Sequence, residues 1–134
     1  MKYKFLKDLT SDVMFEAYGK TLKNVFENAA LALSEVTCHD IKPKESIKIE
    51  VRGEDAEELM HNWLQELIAR IDIEEMFFSR FKILEINEKH LKAKCYGEPM
   101  SRGKGETVVK GVTNYKYKLE KTREGYVARV ALDI

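Results

Sequence analysis

At 134 residues, 44% of them apolar and 34% charged, the chain is long enough for a core and too apolar to be disordered; we expect one domain over 1–134. Its 23 Lys and Arg balance 23 Asp and Glu, which argues against a protein devoted to sequence-independent nucleic-acid binding but leaves room for a local basic patch. No apolar run approaches the ~18 residues of a membrane span, and the opening MKYKFLKD has no continuous hydrophobic stretch to serve as a signal peptide. Cys38 and Cys95 lie far apart without CxxC spacing, as reduced thiols of a cytoplasmic protein would.

Residues 2–6 alternate polar and apolar, the pattern of a half-buried strand, and Lys7 to Ser11 reads as a polar connection. A second strand follows from Val13 to Tyr18, with Val13, Phe15 and Ala17 on one face, and Gly19 breaks it. Thr21 is a good helix N-cap, and Leu22, Val25, Phe26, Ala29, Ala30, Leu33 and Val36 trace one helical stripe. Pro43 keeps that helix from resuming. Ile47, Ile49 and Val51 alternate with charged residues as a third strand, ended by Gly53.

Asp55 with Glu58 matches a capping box, and the helix behind it has an apolar face running from Ala56 through Trp63 to Ile71. Residues 72–79, DIEEMFFS, read as a connection with exposed aromatics. From Phe81 onward the chain turns to strands: FKILEI, HLKAKCYGE, TVVKGVTNYKYKLEK and GYVARVALDI. Gly19 and Gly53 stand 34 positions apart, each after a strand and two residues before an N-cap, and the helical apolar positions then coincide. That spacing is a duplicated strand–helix unit whose sheets are completed by later strands. The expected fold is α+β, with two main helices packed on mixed, largely antiparallel sheets.

Several candidates for chemistry fail on spacing. In the 97–111 segment, GEPMSRGKGETVVKG, five residues separate Gly97 from Gly103-Lys104 where a P-loop needs four, Gly105 replaces Ser or Thr, and a strand follows instead of a helix. The segment then reads either as a mobile basic loop touching an anionic partner or as a plain hairpin connection. Cys38, His39, His90 and Cys95 lack zinc-site spacing, and on a strand His90 and Cys95 point to opposite faces. Trp63 lies on the apolar stripe of its helix and reads as core, whereas Phe77-Phe78 would mark a partner-binding patch if both were exposed. What remains is oxygen chemistry. Asp12, at a strand start, and Asp133-Ile134, directly after a strand-like run, offer two carboxylates and a terminal α-carboxylate, hard ligands suited to Ca²⁺ or Mg²⁺.

The order of these features resembles the archease family, activators of the tRNA-splicing RNA ligase. The likeness is carried by Thr10-Ser11-Asp12-Val13, by Ala17-Tyr18-Gly19, and by Leu22 to Phe26 followed by Ala29-Ala30. It continues through Leu59 to Leu67, Tyr96-Gly97-Glu98, Val109-Lys110-Gly111-Val112-Thr113 and the closing Asp133-Ile134. The resemblance implies a cytoplasmic, non-enzymatic accessory protein that binds a divalent cation, calcium first and magnesium or manganese as alternatives, through Asp12, Asp133 and Ile134. It further implies a functional role for Lys110 in engaging nucleotide or partner. The implied activity is promotion of GTP- and metal-dependent guanylylation of the ligase, giving multiple turnover in tRNA splicing, with any contact to GTP and RNA made through the ligase. Alternatives are a chaperone-like protein-binding module and a metal-dependent enzyme acting on RNA or nucleotide. The chain departs from the family pattern at Leu9, where a His is usual, at Asn114 in place of a Tyr, and at Leu132 in place of a Pro.

Overall fold

In the computed structural model, which describes residues 1–7 and 12–134, two helices lie between two antiparallel sheets. The strands are β1 (Tyr3–Leu6), β2 (Val13–Gly19), β3 (Glu45–Arg52), β4 (Met76–Ile86), β5 (His90–Pro99), β6 (Gly111–Thr122) and β7 (Gly125–Asp133). The helices are α1 (Leu22–Thr37) and α2 (Ala56–Glu74). One sheet has the order β1-β2-β7-β6 and the other β3-β5-β4. Helix α1 packs on β2 of the first sheet and β4 of the second, and α2 on β6, β3 and β4. The three-stranded sheet therefore turns one face to the helices and the other to solvent, as the alternation over most of β3 and β5 requires. The expected α+β class holds, with every strand pair antiparallel.

The duplication is visible atom by atom. Asn24 N–H donates to the Thr21 hydroxyl at 3.2 Å in the first unit, and Glu58 N–H to the Asp55 carboxylate at 2.9 Å in the second. Asn28 donates to the Tyr18 carbonyl at 2.7 Å, and Asn62, at the same offset, to the Arg52 carbonyl at 2.9 Å. Each Asn thus ties its helix to the last turn of the strand before it. A Cβ on Gly19 would lie 2.3 Å from the Val25 backbone nitrogen, and one on Gly53 2.7 Å from that of Leu59. The strand end and the first helical turn approach so closely that neither glycine has room for a side chain.

Between the sheets, Trp63, Phe15, Phe26, Leu59, Met60 and Leu64 are fully buried. Trp63 stacks edge-on against Phe81 and donates its indole N–H to the Phe26 carbonyl at 3.0 Å, which satisfies the one polar atom it carries into the core. Its reading as core holds. The stretch 72–79 differs from expectation: α2 continues to Glu74, Glu75 caps it in the left-handed region (φ 52), and β4 begins at Met76. Phe77 and Phe78 are both buried in β4: Phe78 joins the core between the sheets, and Phe77 lies under the 97–111 segment, where a Cβ on Gly105 would sit 3.2 Å from its ring.

Candidate functional site

The expected ligands meet at one end of the four-stranded sheet. Val13 pairs with Leu132 across β2 and β7, so Asp12, just before β2, and Asp133, at the end of β7, stand at the same end of that strand pair. On the other side of β7, Gly111 pairs with Asp133, and the Lys110 N–H donates to the Asp133 carbonyl at 2.7 Å. Asp12, Lys110, Asp133 and Ile134 are thereby brought to one corner by three adjacent strand ends, although they come from opposite ends of the sequence. Asp12 is half-buried, and Asp133, Ile134 and Lys110 are exposed, which leaves the corner open to solvent. Among the described residues no three His, Cys, Asp or Glu side chains cluster tightly enough to hold an ion. The corner offers two Asp side chains, and a third oxygen donor has to come from the main chain.

The strand ends are held from behind. Val109 is buried beside Lys110, and the Gln65 side-chain carbonyl on α2 accepts a hydrogen bond from the Val112 N–H. Gln65 was not among the sequence candidates; it sits on the half-polar flank of an amphipathic helix, and its only signal was its place beside Leu64 in the family-like stretch. Nearer the middle of the same sheet, Glu16 and Arg129 face each other across β2 and β7. Arg129 reaches the Glu16 carboxylate through Nε at 3.2 Å and Nη2 at 3.1 Å, and the Tyr18 hydroxyl donates to its other oxygen at 2.9 Å. Burial raises the Glu16 carboxyl, but the hydrogen bonds from Tyr18 and Arg129 outweigh it and hold the group below the usual carboxylate range. Burial and the Glu16 charge push the Tyr18 phenol up to about 12. The network is a fixed charge pair between the two strands that carry Asp12 and Asp133.

Comparison with known proteins decides what kind of chain carries this corner: the archease protein family model matches residues 3–134. This chain belongs to the archease family. It is 36% identical to the archease of Sulfurisphaera tokodaii, with 99% of each chain covered, and 40% identical to that of Methanosarcina acetivorans, covering 99% of this chain and 96% of the relative. The solution structure of Methanobacterium thermoautotrophicum protein 1598 superposes with a TM-score of 0.86 at 35% identity over 99% of both chains. An archease of Thermotoga maritima, called a possible chaperone, shares the fold with a TM-score of 0.70 at 20% identity over 96% and 95%.

Other sequence candidates in this archease are settled by their surroundings. Cys95 is buried on the inner face of β5, where desolvation pushes its thiol up to about 12, while His90 lies on the outer face. The zinc grouping is not formed. The 97–111 segment is anchored: His39 N–H donates to the Lys104 carbonyl at 3.0 Å, and the Glu106 and Thr107 amides donate to the carbonyls of Thr37 and Val36, each at 3.0 Å. Lys104 is engaged 2.6 Å from the buried Glu98, whose carboxyl is held low by Lys104 and by the Lys42 amide. Its charge is therefore directed inward, not toward an anionic partner. Phe77 and Phe78, at 7% and 3% exposure, offer no surface patch, which corrects that expectation. Thr10, Ser11 and the substituted position Leu9 lie outside the described residues.

Proposed function

We propose that this archease is a non-enzymatic accessory protein that binds a divalent cation and activates the tRNA-splicing RNA ligase. The observation that carries the reading is the convergence of Asp12, Asp133, Ile134 and Lys110 at one sheet corner, in the combination that the family resemblance implies. The donor set fits a hard cation: two Asp carboxylates, the carboxylate that closes the chain at Ile134 and open solvent for completing waters, with no sulfur and no imidazole. Calcium fits best, because its coordination tolerates the irregular geometry of three strand ends; magnesium and manganese are the alternatives. When bound, the cation supplies the positive charge that lets several carboxylates share one corner.

The chain's own residues then have separate tasks. Asp12 and Asp133 bind and hold the ends of β2 and β7 together. Lys110, fixed through its backbone to Asp133 yet exposed, presents an ammonium to an anionic group of the nucleotide or the ligase. In this role the protein promotes GTP-dependent guanylylation of the ligase and its multiple turnover, working in the cytoplasm and touching GTP through the ligase.

One assay tests the reading: purified ligase, RNA ends and GTP, with and without this protein, in EDTA and in added calcium, magnesium or manganese. Turnover should rise only with ligase, protein and metal together. Asp12→Ala and Asp133→Ala should each abolish the stimulation with thermal unfolding little changed, and a C-terminal extension, which converts the Ile134 carboxylate to an amide, should impair it. Full activation by both Asp variants removes the metal site, and turnover without ligase selects the enzyme alternative instead.

A further inference from the structure

The solvent face of the three-stranded sheet divides into two halves of opposite electrostatic character. In the half near the β4–β5 turn, Glu50 is within 3.1 Å of His90, 3.6 Å of Arg52 and 3.7 Å of Lys92, and Glu85 is 3.5 Å from Lys92. Positive and negative charges there are matched. In the other half the register sets Lys48, Lys94 and Lys82 side by side across β3, β5 and β4. The next row holds Ser46, Tyr96 and Arg80. None of these four cations forms an ion pair with a described carboxylate; Arg80 and Lys94 instead lie 5.3 and 5.4 Å from the centre of the Tyr96 ring. Like charges directly opposite on a sheet repel, so three lysines in one row are a cost that the fold itself does not offset. In a chain of zero net charge, these four cations stand together on one half-face without a described ion pair.

We infer that this half-face is a binding surface for single-stranded RNA. The lysine row crosses three strands spaced about 4.8 Å apart, a flat cationic track roughly 10 Å wide. That geometry suits an extended polyanion and not a small anion, which would need a pocket. The Arg80 guanidinium and the Tyr96 ring are flat groups beside the track, and unpaired bases stack on both kinds of surface. A single strand brings regularly spaced phosphates and planar bases together, whereas an acidic peptide brings only the charges. The nucleic-acid surface stands on the sheet alone; the choice of RNA over DNA rests on the proposed function. The contact is direct and on a different sheet from the Asp12–Asp133 corner, so the protein can hold an RNA end while its other sheet engages the ligase.

The test uses the full chain without ligase and a fluorescein-labelled 12-nucleotide oligouridine, followed by fluorescence anisotropy across salt concentrations. The wild type should bind, and Lys48→Glu/Lys82→Glu/Lys94→Glu should weaken binding at least tenfold at low salt. Lys→Gln at the same three positions should flatten the salt dependence by about 2 in log–log slope, since each neutralised phosphate contributes about 0.7. Tyr96→Ala should weaken binding several-fold with that slope unchanged, the signature of lost stacking. No binding by the wild type, unchanged binding by both triple variants, or competition by polyglutamate as effective as by unlabelled RNA would overturn the inference. Ligase activation is read separately: a chain that activates but binds no RNA sinks this proposal and leaves the metal-site reading standing.

Discussion

Set side by side, the two strand–helix units, Val13–Thr37 and Glu45–Glu74, are assembled from the same local devices and put to different uses. Each has a glycine pressed against the first helical turn, a side-chain N-cap, and an Asn that returns from the helix to the strand. The differences begin where the units leave their own backbone. Strand β2 pairs with the last strand, so Asp12, directly before the first unit, lies at the same sheet end as Asp133. Strand β3 is an edge strand paired only with β5, and the second unit contributes Lys48 to an open charged face. At one equivalent helical position the first unit has Ala29 and the second Trp63, both fully buried. Local devices thus build the units, and long-range pairing decides what each one meets.

The largest break in the comparison should come at that last pair. Trp63→Ala removes the large side chain that reaches both Phe81 and the Phe26 carbonyl, leaving a cavity between helices and sheet. We expect a loss of about 4 kcal/mol, measured by denaturant unfolding. A loss under ~1.5 kcal/mol would mean that the layers close over the space.

The glycines come next. Adding a Cβ to either unit sets it against backbone, which cannot swing aside, and the approach is closer at Gly19 than at Gly53. Gly19→Ala should cost about 3 kcal/mol and Gly53→Ala about 2 kcal/mol, with the order the sharper test. Equal effects would show that the first unit's tighter turn relaxes. For the asparagines, Asn28→Ala should cost about 1.5 kcal/mol and Asn62→Ala under ~0.5 kcal/mol, because only the bond from Asn28 is shielded from water. A reversed order would separate the two devices.

Much of the fold is legible because its signals are local. The repeat, both N-caps and the Trp63 stripe follow from residue type and spacing, and the structure realises each of them. Two features are not local. Phe77 and Phe78 look exposed because consecutive aromatics break strand alternation, and both are buried because Phe78 faces the core while the distant 97–111 segment covers Phe77. Lys104 looks available until Glu98, six residues earlier, is found buried beneath it. The corner itself was legible through its chemistry, as Asp12 and Asp133-Ile134 are hard donors at strand ends. Their meeting is a matter of which strand pairs with which, and Gln65, which braces β6 there, had no chemical signal to find.

The smallest effect is a pH dependence that also separates the units. Each has one strand carboxylate held below its ordinary range: Glu16 against Arg129, and Glu50 chiefly through its hydrogen bond with His90, then the Lys92 and Arg52 charges. A carboxyl whose folded pKa lies below its unfolded value of about 4.3 stabilises the fold above that value. The contribution is lost as pH falls through the lower, folded pKa. Glu16 is 14% exposed and Glu50 is 47% exposed, so solvent screens the second pair far more. Glu16→Gln should therefore lower stability at pH 7 and make the profile below about pH 5 shallower, because one acid-sensitive pair is gone. Glu50→Gln should leave the profile nearly unchanged. The measurement is thermal unfolding from pH 7 to pH 3 for both variants. If both flatten the acid limb alike, the sheet that carries the Asp12–Asp133 corner is no better shielded than the open one, and the Glu16–Arg129 pair does not brace it.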